Sequence, residues 1–154
     1  FTYKNWDLNV FLNGSFGFDV YNQARGTITG NGGNRSNLSP DVYDRWTPEN
    51  ETDLPKAGTG NVLNSSRWVE NGDFIRLSNF KVGYTFDKSI MKGINSMQLY
   101  ASGQNLLLIT NYSGYDPEVS SQLLGGANED AGAGIDTGAY PNPVSFTIGL
   151  KVQF

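Results

Sequence analysis

Apolar and polar side chains alternate from residue 6 to residue 21. Trp6, Leu8, Val10, Leu12, Phe16, Phe18 and Val20 hold the even positions, with Gly14 the one exception. The odd positions carry Asp7, Asn9, Asn13, Ser15, Gly17 and Asp19, with Phe11 and Tyr21 the large apolar members. A period of two predicts a strand with one apolar face and one polar face. Asn13-Gly14 is a strong hairpin dipeptide, but a two-residue turn there would set Leu12 against Ser15 and Val10 against Gly17. That register mixes the two faces and loses the burial of one of them. The pattern therefore predicts one continuous strand over residues 5–21. At roughly 3.3 Å per residue it would reach about 50 Å, where strands of soluble domains centre on about 5–6 residues.

Three further strands are predicted over residues 72–86, 96–109 and 144–154. In the second, Phe80, Val82, Tyr84 and Phe86 alternate with Lys81, Gly83 and Thr85, while Ile75 and Leu77 stand in the opposite phase. One extra residue near Ser78-Asn79 would flip the phase, so a β-bulge is one reading. In the other, Phe74 keeps the outer phase and Ile75 and Leu77 point inward. Met97, Leu99 and Ala101 share a face in the third strand. In the fourth, Val144, Phe146, Ile148, Leu150, Val152 and Phe154 alternate with Ser145, Thr147, Gly149, Lys151 and Gln153.

The connections between these strands run long, short, long: residues 22–71, 87–95 and 110–143. Transmembrane β-barrels of the outer membrane have this arrangement, with long loops outside the cell and short turns in the periplasm. A compact soluble domain seldom carries two such loops. The fold class expected is all-β: antiparallel strands of a large transmembrane β-barrel, with extracellular loops at 22–71 and 110–143 and a periplasmic turn at 87–95.

Composition narrows the chemistry. The 154 residues include no cysteine and no histidine, which removes thiol nucleophiles, disulfides, Cys/His zinc sites and a Ser-His-Asp triad. A net charge of -4 offers no basic patch, so nucleic acid is not an expected partner. No apolar run approaches the ~18 residues of a membrane-spanning helix. The mean hydropathy of -0.41 does not argue against a barrel, because lumen-facing residues cancel lipid-facing ones in any average. The opening Phe1-Thr2-Tyr3-Lys4 has neither an initiator Met nor a signal peptide, and it reads as an internal start. Tyr3, Trp6, Tyr21, Trp68, Tyr84, Phe86 and Phe154 fall near expected strand ends. Aromatic girdles at the membrane interfaces explain them, and so does plain β-propensity.

Candidate chemistry is sparse. Asp116 with Glu118, or Glu129 with Asp130, could pair for glycoside hydrolysis, but neighbouring loop carboxylates are usually just solvated. Asn128, Glu129, Asp130 and Asp136 offer oxygen ligands without the regular spacing of a calcium loop. No enzyme activity, metal or cofactor is expected. Tyr112, Tyr115 and Asp116 combine flat aromatic faces with a carboxylate, as sugar binding requires. The plainer reading is a loop anchor with Pro117 fixing the turn. Trp46 serves equally as a substrate contact, a contact to a covering protein, or a pin for its own loop. Arg76, inside an apolar run, should face the lumen, because an Arg toward lipid at the bilayer midplane costs about 2–4 kcal/mol.

The strings from Asn71 to Asn79 (Asn-Gly-Asp-Phe-Ile-Arg-Leu-Ser-Asn) and Val82-Gly83-Tyr84 resemble a late strand of SusC/RagA-type TonB-linked transporters. Gly103-Gln104-Asn105-Leu106, Tyr112 to Glu118 and Gly134 to Pro141 resemble the same family. The likeness is specific over residues 66–154 and only one of pattern before that. The last strand, with Leu150, Val152 and Phe154, looks like the C-terminal assembly signal of outer-membrane barrels. The resemblance implies the final portion of a barrel of about 22 strands. It further implies import of oligosaccharides or peptides across a Gram-negative outer membrane, a SusD-like surface lipoprotein as lid, and a plug and TonB box that are not among these residues. Four strands leave two open edges, which hydrocarbon does not tolerate, so the rest of the barrel must be supplied as another chain or as further sequence. Two alternatives remain: a soluble carbohydrate-binding β-sandwich, and a barrel of another transport or secretion class.

Overall fold

The computed structural model of the chain describes residues 1–29, 37–56, 64–86, 93–119 and 134–154. In chain order its elements are β1 (Thr2–Tyr3), β2 (Trp6–Ser15), β3 (Asp19–Asn22), α1 (Gln23–Thr29), β4 (Val69–Asn71), β5 (Phe74–Phe86), β6 (Ser96–Thr110), β7 (Ile135–Asp136) and β8 (Ser145–Gln153). Short 3-10 turns occupy Pro40–Asp44 and Ser66–Trp68. Among the described residues the architecture is all-β with one short helix. The chain divides into two compact units.

The first unit comprises Phe1–Phe16, Phe74–Thr110 and Asn142–Phe154. It is an antiparallel sheet in the order β1-β2-β5-β6-β8. Register aligns the alternation of every strand. One row across the sheet reads Leu8, Val82, Ala101, Ile148, and the next row reads Asp7, Gly83, Tyr100, Gly149. Apolar residues therefore meet apolar residues on one face, and polar or small ones meet on the other, as the two-residue period demands.

The phase flip in β5 is a bulge. The register shifts between Leu77 and Asn79, which leaves Ser78 without an opposite partner in either neighbouring strand. Beyond the bulge, Leu12, Leu77 and Leu107 form one row, and Gly14, Ile75 and Ile109 form another. The Ser78 hydroxyl donates to the Asn13 side-chain oxygen. In β6 the matching irregularity falls at Asn105, whose φ of 53° lies in the left-handed region that Asn tolerates.

The second unit comprises Gly17–Asp73 and Asn111–Pro141. It holds a small sheet in the order β4-β3-β7. Its core is Val20, Tyr112 and Val119, with Phe18 and Ala139 packed against them. Trp68 is buried too, and a side chain on Gly26 would come within 3.3 Å of its ring.

Two expectations need correction here. The strand expected through residue 21 stops at Ser15. Gly17 then adopts φ 77°, which an extended run does not accommodate, and its amide donates to Asp73 Oδ1 at 2.6 Å. Pairing resumes at Asp19 in the other sheet, against Asn71. The stretches expected as long loops also contain structure of their own: α1, both 3-10 turns, β4 and β7. Most of the expected turn at 87–95 lies outside the described residues.

Candidate functional site

The first unit offers a surface rather than a pocket. Its apolar face is carried by Leu8, Val10, Phe80, Val82, Leu99, Phe146, Ile148 and Leu150, and Ile148 is 80% exposed. A continuous apolar face of this extent marks contact with lipid or another protein. At one end, the Trp6 and Tyr84 rings meet edge to face at 4.9 Å and Tyr84 meets Phe86 at 5.0 Å. These three rings lie together in the first unit, whereas Tyr21 and the buried Trp68 belong to the second unit.

The opposite face is polar. Gln98 Nε2 donates to Asp7 Oδ1 at 2.6 Å, and Lys81 Nζ lies 4.7 Å from the centroid of the Tyr100 ring. Arg76 belongs to this side, with Asn13 and Leu108 beside it in register. It is 4% exposed, while Ile75 before it on the other face is 42% exposed. Its guanidinium sits 5.6 Å from the Phe74 ring centroid, within cation–π range.

In the second unit, polar contacts converge on Glu70. Its carboxylate accepts from Arg25 Nη1 at 2.9 Å, the Ser113 hydroxyl at 2.8 Å and the Ser113 amide at 2.9 Å. Asn22 Nδ2 adds a contact at 3.2 Å. Burial on its own would raise the Glu70 carboxyl, but the Ser113 donors and Arg25 outweigh it and hold the group below the usual glutamate value. The Asn22 side-chain oxygen also caps α1, accepting from the Arg25 amide at 2.8 Å. One knot of side chains thus ties β3, α1, β4 and the stretch after β6 together.

The residues singled out from sequence end up in different surroundings. Tyr112 is buried, and its hydroxyl donates to Asp136 Oδ2 at 2.6 Å. Burial and the Asp136 carboxylate push its phenol far above the usual tyrosine value. The other Asp136 oxygen accepts from the amides of Gly138 and Ala139 at 2.8 and 3.0 Å. Asp116 is also buried and accepts from the Glu118 amide at 3.0 Å, a turn contact. Tyr115, by contrast, is 76% exposed. The Trp46 amide donates to the Leu54 carbonyl at 2.9 Å, closing a loop around the Thr47–Asn50 turn, and its side chain is exposed. Tyr112 and Asp116 therefore serve the loop itself, and Tyr115 stands clear of it. Arg25 and Glu70 escaped the sequence reading, because scattered polar residues carry no motif, and Ser113 was read only as part of the Tyr112 to Glu118 string.

Among the described residues no three His, Cys, Asp or Glu groups cluster as metal ligands. Asn128, Glu129 and Asp130 lie outside the described residues.

A two-faced antiparallel sheet with strands of this length defines a piece of β-barrel wall. Comparison with known proteins agrees. The chain is 36% identical over 155 residues to TonB-dependent receptor P3 of Formosa agariphila, covering 99% of this chain and 15% of that protein. It is 30% identical to TonB-dependent receptor SusC of Bacteroides thetaiotaomicron, covering 99% of this chain and 14% of SusC. The solved structure of the RagAB peptide transporter superposes with a TM-score of 0.80 at 28% identity, over 99% of this chain and 16% of that one. No family model matches the chain. It belongs to the SusC/RagA-type TonB-dependent receptors, as a segment that spans about 15% of the curated relative's length. The likeness extends through the first 65 residues, where sequence strings alone gave only a pattern. These relatives are receptors and transporters rather than enzymes.

Proposed function

We propose that the chain forms part of the wall of an outer-membrane barrel that imports oligosaccharides or peptides. The observation that carries this is the pair of opposed faces in the five-stranded sheet. Lipid tails cover the apolar face, and the polar face with Asp7, Lys81, Gln98 and Arg76 lines the lumen. A soluble sandwich would instead need a second layer over Ile148 and Phe146, which are among the most exposed large apolar residues.

On this reading the long stretches at 22–71 and 110–143 are extracellular and the turn at 87–95 is periplasmic. A SusD-like lipoprotein covers the outer end, and TonB supplies energy through a plug carried elsewhere in the full receptor. RagAB and SusC, the named relatives, support the partnership by analogy of family. Cysteine labelling in cells carrying the full receptor tests the topology. Thr147→Cys and Lys81→Cys should react with a water-soluble maleimide once the outer membrane is permeabilised, and Ile148→Cys and Val82→Cys should not. Tyr140→Cys, on a loop, should react in intact cells. Equal reactivity of Thr147→Cys and Ile148→Cys would overturn the wall assignment. Failure of the receptor to co-purify with any surface lipoprotein would overturn the lid.

A further inference from the structure

At the end of the first unit reached by Phe86, one row crosses the whole sheet. Tyr3, Trp6, Tyr84, Leu99 and Leu150 are register partners in turn. Directly opposed residues share a face, so Tyr3 joins the Trp6 and Tyr84 rings on the apolar side. Tyr3 and Trp6 are both exposed. Two residues further along the strands comes the aliphatic row of Leu8, Val82, Ala101 and Ile148.

β1 and β2 are joined by a two-residue turn, Lys4-Asn5, with Tyr3 opposite Trp6. The first turn position takes φ 52°. Tight hairpin turns need that left-handed value, and Gly, Asn or Asp usually fills it. Lysine holds it here at a conformational cost, and outliers of this kind recur at ligand contacts. Its ammonium lies against the aromatic row: Nζ is 5.5 Å from the centroid of the Tyr3 ring, within cation–π range. Among the described residues no carboxylate forms an ion pair with it. A positive charge therefore stands at the rim of an exposed apolar face without a protein counter-charge.

We propose that Lys4 and the Tyr3, Trp6 and Tyr84 row form a site for an anionic glycerophospholipid. The proposal rests on the wall reading, which puts this end at the periplasmic leaflet, and names one lipid class for one place on that wall. Acyl chains lie along Leu8, Val82 and Ile148, and the phosphate meets the Lys4 ammonium. Phenol and indole groups settle at headgroup level because one part of each ring system is apolar and the other carries a donor. Charge selects the headgroup. The ammonium has donors and no acceptor, so a headgroup with its own amine repels it, whereas one that bears only hydroxyls beside the phosphate does not. An acidic protein would have to cover the aliphatic row as well, and the wall reading gives that row to acyl chains.

The test uses the full-length receptor in detergent micelles carrying phosphatidylglycerol, phosphatidylethanolamine or lipid A, with bound lipid counted by native mass spectrometry. Phosphatidylglycerol should stay bound in preference to the other two. Lys4→Asn should lower its occupancy about fivefold, the order expected for one basic residue at an anionic surface. Asparagine suits the left-handed turn better than lysine does, so this loss reads the charge and not the fold. Lys4→Arg should keep the lipid, and Lys151→Asn, on the polar face, should leave it unchanged. Equal binding of the three lipids, a preference for lipid A, wild-type occupancy in Lys4→Asn or an equal loss in Lys151→Asn would overturn the site. If Ile148→Cys is still protected from maleimide in those cases, the wall reading stands without the site. If Ile148→Cys reacts as readily as Thr147→Cys, both fall.

Discussion

Tyr112 donates its hydroxyl to Asp136 at 2.6 Å, joining the segment after β6 to the short strand β7. Both groups are buried, so each depends on the other. Tyr112→Phe keeps the ring and removes the donor, leaving Asp136 short of a partner at a cost of about 1–3 kcal/mol. Proteolysis of the full receptor should then cut faster within 110–143, with strand protection unchanged. A variant that keeps wild-type cleavage but loses uptake would instead mark Tyr112 as a substrate contact.

Tyr100 lies across Gly149 of the next strand, where any side chain would collide with its ring. Gly149→Ala should destabilise the barrel by about 1–3 kcal/mol through overpacking. The temperature at which the band shifts on heat-modifiability gels reads this out. Combining it with Tyr100→Ala should give less than the sum of the single losses, because the collision is then gone. Strict additivity would mean that the two do not touch.

Ile148 shares its row with Leu8, Val82 and Ala101 on the apolar face. Ile148→Val should leave outer-membrane yield unchanged. Ile148→Arg should lower it sharply, since an Arg facing lipid at midplane costs about 2–4 kcal/mol. The neighbouring Thr147→Arg, on the polar face, should be milder. Equal yields for the two Arg variants would show that the faces are misassigned.

Glu70 and Tyr112 predict opposite limbs of a pH profile for the loop unit. The folded Glu70 carboxyl is held below its ordinary value of 4.5, so its contribution is complete above that value and is lost as pH falls through the depressed folded value. The folded Tyr112 phenol is raised above its ordinary 10.0, so its contribution is complete below 10.0 and declines as pH rises beyond it. Hydrogen exchange of the unit against pH should show both limbs. Glu70→Gln should flatten only the acid one and Tyr112→Phe only the alkaline one. An unchanged acid limb in Glu70→Gln would remove Glu70 from the account.

Much of the sheet was legible because alternation is a local property. Phe80 to Phe86 and Val144 to Val152 carry their faces in the order of their letters, and cross-strand register then follows from matching like with like. The phase flip between Leu77 and Phe80 was legible for the same reason, but it left the bulge as one of two readings until cross-strand register decided for it. The break after Ser15 was not legible. Phe16, Phe18 and Val20 continue the even phase, and only the left-handed turn at Gly17 and the Asp73 acceptor, 56 residues away, end the strand.

The sequence alone determined that this chain builds a two-faced sheet, since a period of two leaves each side chain no choice of face. It also carried the strings that tie it to its family. Only the tertiary structure decided which loop residues are occupied internally and which stand free. Tyr112 and Tyr115 are the same residue type three positions apart, yet one is buried on Asp136 and the other is exposed. Contacts between β3, α1, β4 and the segment after β6 make that difference, and contacts across such distances in the chain leave no periodic trace in it.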